Sequence, residues 1–386
     1  MQLPGPLREA IEQELAGCDG APLQEAAARL GLIYREGGAT AAALANELDH
    51  AAYLAVRMPA TFAAIASALR WTREALLQEA LPEEALHEQP GREQPLSNED
   101  PRIRSVLDLG SGPGTALWAA AQLFPTLASA TCIERDPRLI DIGRRLAARS
   151  HDPAVREATW LCGDLTAQLA EGSWDLVVCA YALNEIDERQ RAGLIRQAWE
   201  RCAKLLVIVE PGTKAGFANV LAVRSQMLYP GKPTAGFLGT PGSPGAPVAP
   251  DSEPSPFLAA PCPNSLACPM ATGGDWCHFA ARVERTATHR RLKQATLGHE
   301  DEKFSYVAFV RDSAMAGGPH PPSFGECGAQ NTPQNTQARI VRHPRLFSGY
   351  AQLTLCRAGE IATTTVTRSQ KEDWRRLKRL GWGDPW

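Results

Sequence analysis

The stretch Val106-Leu-Asp-Leu-Gly-Ser-Gly-Pro-Gly114 constrains this chain more than any other. Val106, Leu107 and Leu109 are apolar, Gly110, Gly112 and Gly114 recur at alternate positions, and a helix-forming run from Thr115 to Leu123 follows at once. A buried strand running into a glycine turn and a helix N-terminus is how an α/β fold builds a nucleotide site, because glycine lets backbone approach the ligand closely. A dinucleotide fingerprint would place its third glycine at position 115, where Thr115 stands.

The flanks extend the pattern. Ala130 to Glu134 reads as a second strand ending in a carboxylate placed to accept ribose hydroxyls, and Trp160 to Asp164 as a third strand with its following acid. Trp174 to Ala180 and Leu205 to Val209 read as a fourth and a fifth, with helical runs at Asp136–Ala147 and Arg189–Ala203 in the gaps. Apolar strands alternating with helices predict a parallel sheet covered on both faces. Asp108-x-Gly-x-Gly-x-Gly114 resembles motif I of class I S-adenosylmethionine (SAM) methyltransferases, whose loop passes under the methionine part of the cofactor. On that resemblance Asp108, Gly110, Gly112, Gly114, Glu134 and Asp164 are the candidate cofactor residues. Asn184 and Glu185 follow the fourth strand, where such folds face the methyl-accepting atom, and are candidates for positioning an acceptor; capping the next helix accounts for them equally. No catalytic base is identified, and methyl transfer can proceed by alignment of the acceptor alone.

The expected fold class is therefore α/β: a SAM-methyltransferase-like (Rossmann-like) sheet domain with an N-terminal helical domain and a cysteine-rich, metal-binding C-terminal region. The expected divisions are a helical domain at 1–82, a linker at 83–103, the sheet domain at 104–230, a Pro/Gly-rich insert at 231–260 and a region at 261–386 that completes the sheet, binds metal and carries basic residues. The net charge of -3 gives no global basic field. No apolar run is read as membrane-spanning, and no leader peptide is read at the start, so a cytoplasmic, bacterial protein is expected. The ten cysteines then point to metal ligands or buried thiols rather than a disulfide frame.

Cys262, Cys268 and Cys277, the first two flanked by prolines, can bring three thiolates to one metal centre. Cys356 is the preferred fourth ligand, Cys327 the reserve, and His278 the main nitrogen candidate. Soft thiolate sites take zinc or iron–sulfur clusters. Zinc more often uses two short Cys-x-x-Cys knuckles, whereas three near cysteines and one distant one are familiar in cubane chemistry, and the spacing leaves both open. Phe279–Leu297 reads as a helix with a basic face that includes Arg282 and Arg285, and Lys371–Leu380 as a basic helix after three short strands. With Arg339, Arg342, Arg345, Arg375, Lys378 and Arg379 these form a candidate RNA-backbone surface, against the alternative of an ordinary solvated face.

In combination, Arg57-Met-Pro-Ala-Thr61, Val106–Gly114, Asn184-Glu185, Glu210-Pro-Gly212, Pro261-Cys-Pro263, Cys268-Pro269, Trp276-Cys-His-Phe279, Lys303-Phe-Ser-Tyr306 and Cys356 carry a wider resemblance. The chain resembles the methyltransferase-like proteins that assist assembly of the small subunit of the mitochondrial ribosome, together with their bacterial relatives. The resemblance implies a 4Fe–4S cluster on Cys262, Cys268, Cys277 and Cys356, with zinc as the alternative. It implies binding to the small ribosomal subunit and its rRNA, with SAM as a ligand whether or not it is turned over. A monomer with no membrane partner is expected. An active SAM-dependent rRNA methyltransferase is the competing function. The insert at 231–256 and the loop at 313–336 match no role in the family.

Overall fold

The computed structural model describes residues 2–18, 20–35, 44–79, 102–229, 256–311, 338–357 and 359–386. The expected linker up to residue 101, most of the Pro/Gly-rich insert, the 313–336 loop and Cys327 lie outside the described residues.

The main sheet is built from β1 (Ser105–Leu109), β2 (Ser129–Glu134), β3 (Thr159–Cys162), β4 (Trp174–Ala180), β5 (Cys202–Pro211), β6 (Phe257–Ala260), β7 (Phe279–Glu284) and β8 (His299–Val310). Its order is β3-β2-β1-β4-β5-β8-β6, with β7 also paired to β8. The first five strands are parallel, and β8 lies antiparallel between β5 and β6. This is the strand order of the class I SAM-methyltransferase fold, a mixed sheet in which the nucleotide crevice opens at the carboxyl ends of β1 and β4. The central parallel strands β1, β4 and β5 are largely apolar because both faces are covered: Val106, Leu107, Leu176, Val177, Leu206, Val207 and Ile208 are all buried.

Helices α1 (Gly5–Glu14), α2 (Ala21–Arg35), α3 (Glu47–Ala52) and α4 (Met58–Glu79) precede the sheet, with a π-helical turn at Tyr53–Arg57 joining α3 to α4. Asn46 caps α3 through a reciprocal capping box with Asp49. Small buried residues (Ala60, Ala63, Ala64, Ala66 and Ala68) let α4 pack closely on the sheet domain. Trp71 of α4 stacks against Phe304 and Tyr306 of β8 and meets Phe279 edge-on, at ring separations of 5.5 to 6.1 Å. Aromatic burial of this kind contributes about 1.5–3 kcal/mol per side chain. Contrary to expectation, the stretch Glu47–Leu77 is long and apolar enough to cross a membrane, but its most apolar window is 89% buried inside the protein.

Within the sheet domain, α5 (Thr115–Leu123), α6 (Pro137–Ala147), α7 (Pro153–Arg156), α8 (Glu188–Glu200) and α9 (Lys214–Leu228) connect the strands. Asp136 caps α6 and a proline opens it. The helix expected over Phe279–Leu297 is instead β7 followed by α10 (Ala287–Leu292). Phe279, Ala281 and Val283 point inward while Arg282 and Glu284 point out, a period of two that the antiparallel register with β8 enforces. Phe257–Ala260, expected in the insert, forms the short strand β6.

A second sheet contains β9 (Arg339–Ile340), β10 (Arg345–Leu346), β11 (Tyr350–Arg357) and β12 (Glu360–Thr367), followed by α11 (Lys371–Leu377). Ala351, Leu353 and Leu355 alternate into a small core with Ile340, Val366 and Leu377. Cys356 is the next residue along β11 and so sits on the opposite face.

Candidate functional site

The glycine turn forms where β1 ends. Gly110, Gly112 and Gly114 all have positive φ, and a Cβ at Gly110 would lie 2.7 Å from the Ala182 Cβ. The turn opens on a cavity of about 330 Å³ lined by Gly110, Gly112, Glu134, Asp164, Tyr181 and Glu185, with Tyr53 reaching in from the helical region. Glu134 accepts the amides of Gly112, Arg135 and Asp136 at 2.8 to 2.9 Å, which fixes the carboxylate between the turn and the start of α6. Three amides leave about one of a carboxylate's roughly four acceptor positions for a ligand. Asp164 is exposed and accepts both the amide and the hydroxyl of Thr166, whose hydrogen bonds hold it below the usual carboxylate range.

Asp108 and Gly114 stand behind this cavity. Asp108 is 1% exposed and accepts the Leu117 amide at 3.2 Å, fastening β1 to the first turn of α5. Gly114 packs against Trp160, where a Cβ would meet the indole at 2.8 Å. The acceptor candidates separate as well. Asn184 is turned away, accepting from Asn219 of α9 at 2.8 Å, whereas Glu185 lines the cavity and faces Arg135 at 3.4 Å. Cys179 is fully buried in β4 and burial pushes its thiol well up.

The sequence reading missed the wall opposite the turn. Tyr181 has a φ of 58°, and its hydroxyl donates to Glu302, which also pairs with Arg57 at 2.9 Å. The Arg57 guanidinium lies over the Tyr181 ring at 5.1 Å. The helical region, read as scaffold, thus lines the cavity with Tyr53 and braces its Tyr181 wall with Arg57. The π-helical turn Tyr53–Arg57 that aims them is a feature often found at functional sites, but its contacts are long-range and leave no local motif.

Two carboxylates in this region are pushed up to about 7, chiefly by desolvation: Asp108 from 3.8 and the fully buried Glu210 from 4.5. Glu210 accepts the Leu183 amide and the Asn219 side chain. The folded protein keeps these two protons over a pH range in which the unfolded chain has lost them. Stability is therefore fullest below the unfolded pKa values and falls as pH rises towards 7. The slope is up to ~1.4 kcal/mol per pH unit for each group. Thermal unfolding between pH 5 and 7 is expected to show this decline, and Asp108→Asn to flatten it by one group's share. A decline unchanged in that variant would contradict the assignment.

A second cavity, of about 40 Å³, is lined by Cys262, Cys268, Cys277 and Cys356 together with Arg224, Met270 and Tyr306. Cys262, Cys268 and Cys277 come from the loop between β6 and β7, and Cys356 from β11 of the second sheet. Cys277 feels the other three electrostatically, and burial pushes Cys356 up to about 12. Among the described residues, no three His, Cys, Asp or Glu side chains are grouped so as to hold one metal ion. The cysteine loop is tied on several sides. Tyr229 donates to the Ser265 carbonyl at 2.6 Å, Trp276 to the Gly212 carbonyl at 2.8 Å, and Ser305 to the Cys277 carbonyl at 2.7 Å. His278 does not line the cavity; it stacks on Trp276 and meets Trp382 edge-on.

The basic residues fall into two groups. Arg339 is buried and donates to the Pro261 and Gly383 carbonyls, Arg342 pairs with Asp275, Arg285 with Glu300, and Arg282 with Asp301. Arg285 and Arg339 are thus internal ties rather than surface cations, because their guanidinium groups are engaged by protein acceptors. Arg345, Arg375, Lys378 and Arg379 are exposed on the second sheet and its helix.

The protein is similar to the human ribosome assembly protein METTL17, mitochondrial, at 25% identity over 292 residues, covering 73% of this chain and 55% of that one. It is also similar to the Rsm22-cox11 tandem protein 2, mitochondrial, of Schizosaccharomyces pombe, at 23% identity over 318 residues, covering 74% of this chain and 39% of that one. The chain therefore spans roughly half or less of these relatives' lengths. Among solved structures it is similar to the glycopeptide N-methyltransferase MtfA complexed with SAM, at 13% identity and a TM-score of 0.28, covering 62% of this chain and 93% of that one. It is also similar to the magnesium protoporphyrin IX methyltransferase ChlM from Synechocystis PCC 6803 with bound SAH, at 11% identity and a TM-score of 0.31, covering 63% of this chain and 85% of that one. Both relatives by sequence are mitochondrial proteins, which points to the mitochondrion and overturns the expectation of a bacterial cytoplasm. A family model described as mitochondrial small ribosomal subunit Rsm22 matches residues 96–386, and the chain belongs to that family.

Proposed function

We propose that this protein assists assembly of the small ribosomal subunit by binding its rRNA, using a SAM-methyltransferase-like fold held together by a 4Fe–4S cluster. The observation that carries this reading is the convergence of Cys262, Cys268, Cys277 and Cys356, from segments far apart in sequence, on one cavity. A single zinc ion gathers its thiolates at about 2.3 Å from one centre. Four cysteines that share a cavity without forming a one-ion cage suit a cubane, which Cys262, Cys268, Cys277 and Cys356 would hold. Held by these residues, it would tie the β6–β7 loop to β11 and so to the second sheet, on or just beyond which Arg345, Arg375, Lys378 and Arg379 lie.

The glycine-turn cavity fits SAM in three respects. Gly110 and Gly112 line the cavity with backbone that carries no side chain, Glu134 lines it beside the turn for the ribose, and Asp164 lines it for the adenine side. When bound, SAM supplies an electrophilic methyl group. Tyr53, Tyr181 and Glu185 wall the cavity, and Glu185 is the one acceptor-positioning candidate that reaches it. That placement favours the second reading, rRNA methylation. Labelled methyl transfer to immature small subunits, lost in Glu185→Gln, would support that reading, and bound SAM without transfer would leave assembly as the function.

RNA binding is tested through salt. Reversing or removing a phosphate-contacting cation weakens binding across sequences and reduces the salt slope by about 1 per contact. Arg375→Gln combined with Lys378→Gln is expected to lower the slope of log affinity against log salt for small-subunit rRNA fragments by about 2. Arg282→Gln, whose guanidinium is engaged by Asp301, is expected to change it little. Equal slopes in the wild type and the double variant would remove this surface from the proposal.

A further inference from the structure

We infer that Arg224 is the positioning residue of the four-cysteine site: it clamps the cysteine loop and supplies the positive charge that an anionic thiolate-bound group requires. The assignment rests on the cluster reading above.

Arg224 lies in α9 and is 4% exposed. Its Nη2 donates to the carbonyls of Asn264 at 3.1 Å and Leu266 at 2.6 Å, both between Cys262 and Cys268. The guanidinium also lies within electrostatic reach of Cys262, Cys268 and Cys356. Its Nε is buried and has no hydrogen-bond partner. Among the described residues, no carboxylate forms an ion pair with it. The other neighbours at this cavity include Phe217, Val220, Leu221 and Met270, which offer no charge. A buried cation without an anion is a costly arrangement, and carbonyl dipoles and neutral thiols compensate it only in part. A cluster held by four thiolates is a net anion and completes the arrangement.

Two consequences follow from this geometry. The planar fork holds two loop carbonyls at once, which a lysine point charge does not reproduce. The nearby positive charge and N–H donors also favour the reduced state, because one-electron reduction adds negative charge to the cluster.

The test compares anaerobically purified wild type, Arg224→Met and Arg224→Lys. Three quantities are read: iron and sulfide content, the rate of iron release to a chelator, and the midpoint potential in a dithionite titration followed by electron paramagnetic resonance. Arg224→Met is expected to release iron about tenfold faster or more, as for other outer-shell partners, and to show a more negative midpoint. Arg224→Lys keeps the charge and is expected to hold the midpoint nearer the wild type while still releasing iron faster. A wild type that carries iron and sulfide, with both quantities unchanged in the two variants, would overturn the role of Arg224 and leave the cluster standing. A folded wild type with neither iron nor sulfide would overturn the cluster reading, and this assignment with it.

Discussion

Replacing Cys356 by serine is expected to strip iron and sulfide from the protein and to lower rRNA affinity together. Cys356 is the only one of the four cysteines on the second sheet, so its loss cuts the link between β11 and the β6–β7 loop. Among the described residues, protein ties that remain across this junction include Arg339 to the Pro261 carbonyl and Arg342 to Asp275 and the Trp276 carbonyl. They hold the sheets in contact but would not replace the bridge of the proposed cluster, because metal-binding energy is also folding energy. A drop in RNA affinity of about tenfold, or ~1.4 kcal/mol, is the expected scale. Cys162→Ser, exposed on β3, is the control and is expected to leave both readouts unchanged. RNA affinity held at the wild-type level in a cluster-free, folded Cys356→Ser protein would separate the cluster from RNA binding.

The second large effect is expected at Gly110. An alanine there would adopt a φ of 69° and place its Cβ 2.7 Å from that of Ala182, which is backbone-anchored and has no rotamer to escape into. Left-handed strain alone amounts to about 1–2 kcal/mol. Relief of the clash must move either the turn or the segment after β4, and both line the glycine-turn cavity proposed for SAM. Gly110→Ala is therefore expected to weaken SAM binding by about tenfold or more and to lower thermal stability. Gly193→Ala in α8 meets nothing within 4 Å and is expected to be neutral or slightly stabilising. Isothermal titration with SAM distinguishes the two. Unchanged affinity in Gly110→Ala would mean that this turn is not where SAM is held.

Much of the sheet was legible because its strands are buried on both faces. Runs such as Leu176–Cys179 and Leu205–Val209 carry an apolar signal that no surface helix reproduces. The error at Phe279–Leu297 has a definite cause. Ala280, Ala281, Arg282 and Glu284 favour helix intrinsically, but pairing with His299–Phe304 imposes strand, and the charged stretch His299–Lys303 of that partner carries no apolar strand pattern of its own. At the cavity, the glycine turn was legible as local backbone chemistry. Asp108 was read as a ligand contact, yet its carboxylate faces inward to the α5 amides. Tyr53 and Tyr181 were missed, and Arg57 was read only as part of the family resemblance, because the meeting of Arg57 and Tyr181 at Glu302 depends on tertiary packing between distant segments. Arg224 sits in an unremarked helix for the same reason.

Helix α9 also joins the two cavities. Asn219 reaches Asn184 and Glu210 behind the glycine-turn cavity, and Arg224, further along the same helix, reaches the cysteine loop. Both cavities therefore depend on the placement of one element.

The most direct measurement of the central claim is the iron, acid-labile sulfide and zinc content of the anaerobically purified protein, read beside its visible absorption. About four irons and four sulfides per chain, with negligible zinc, are the expected result for a cubane held by Cys262, Cys268, Cys277 and Cys356. One zinc per chain without sulfide would contradict the cluster, and with it the proposed link between the cysteine cavity and RNA binding.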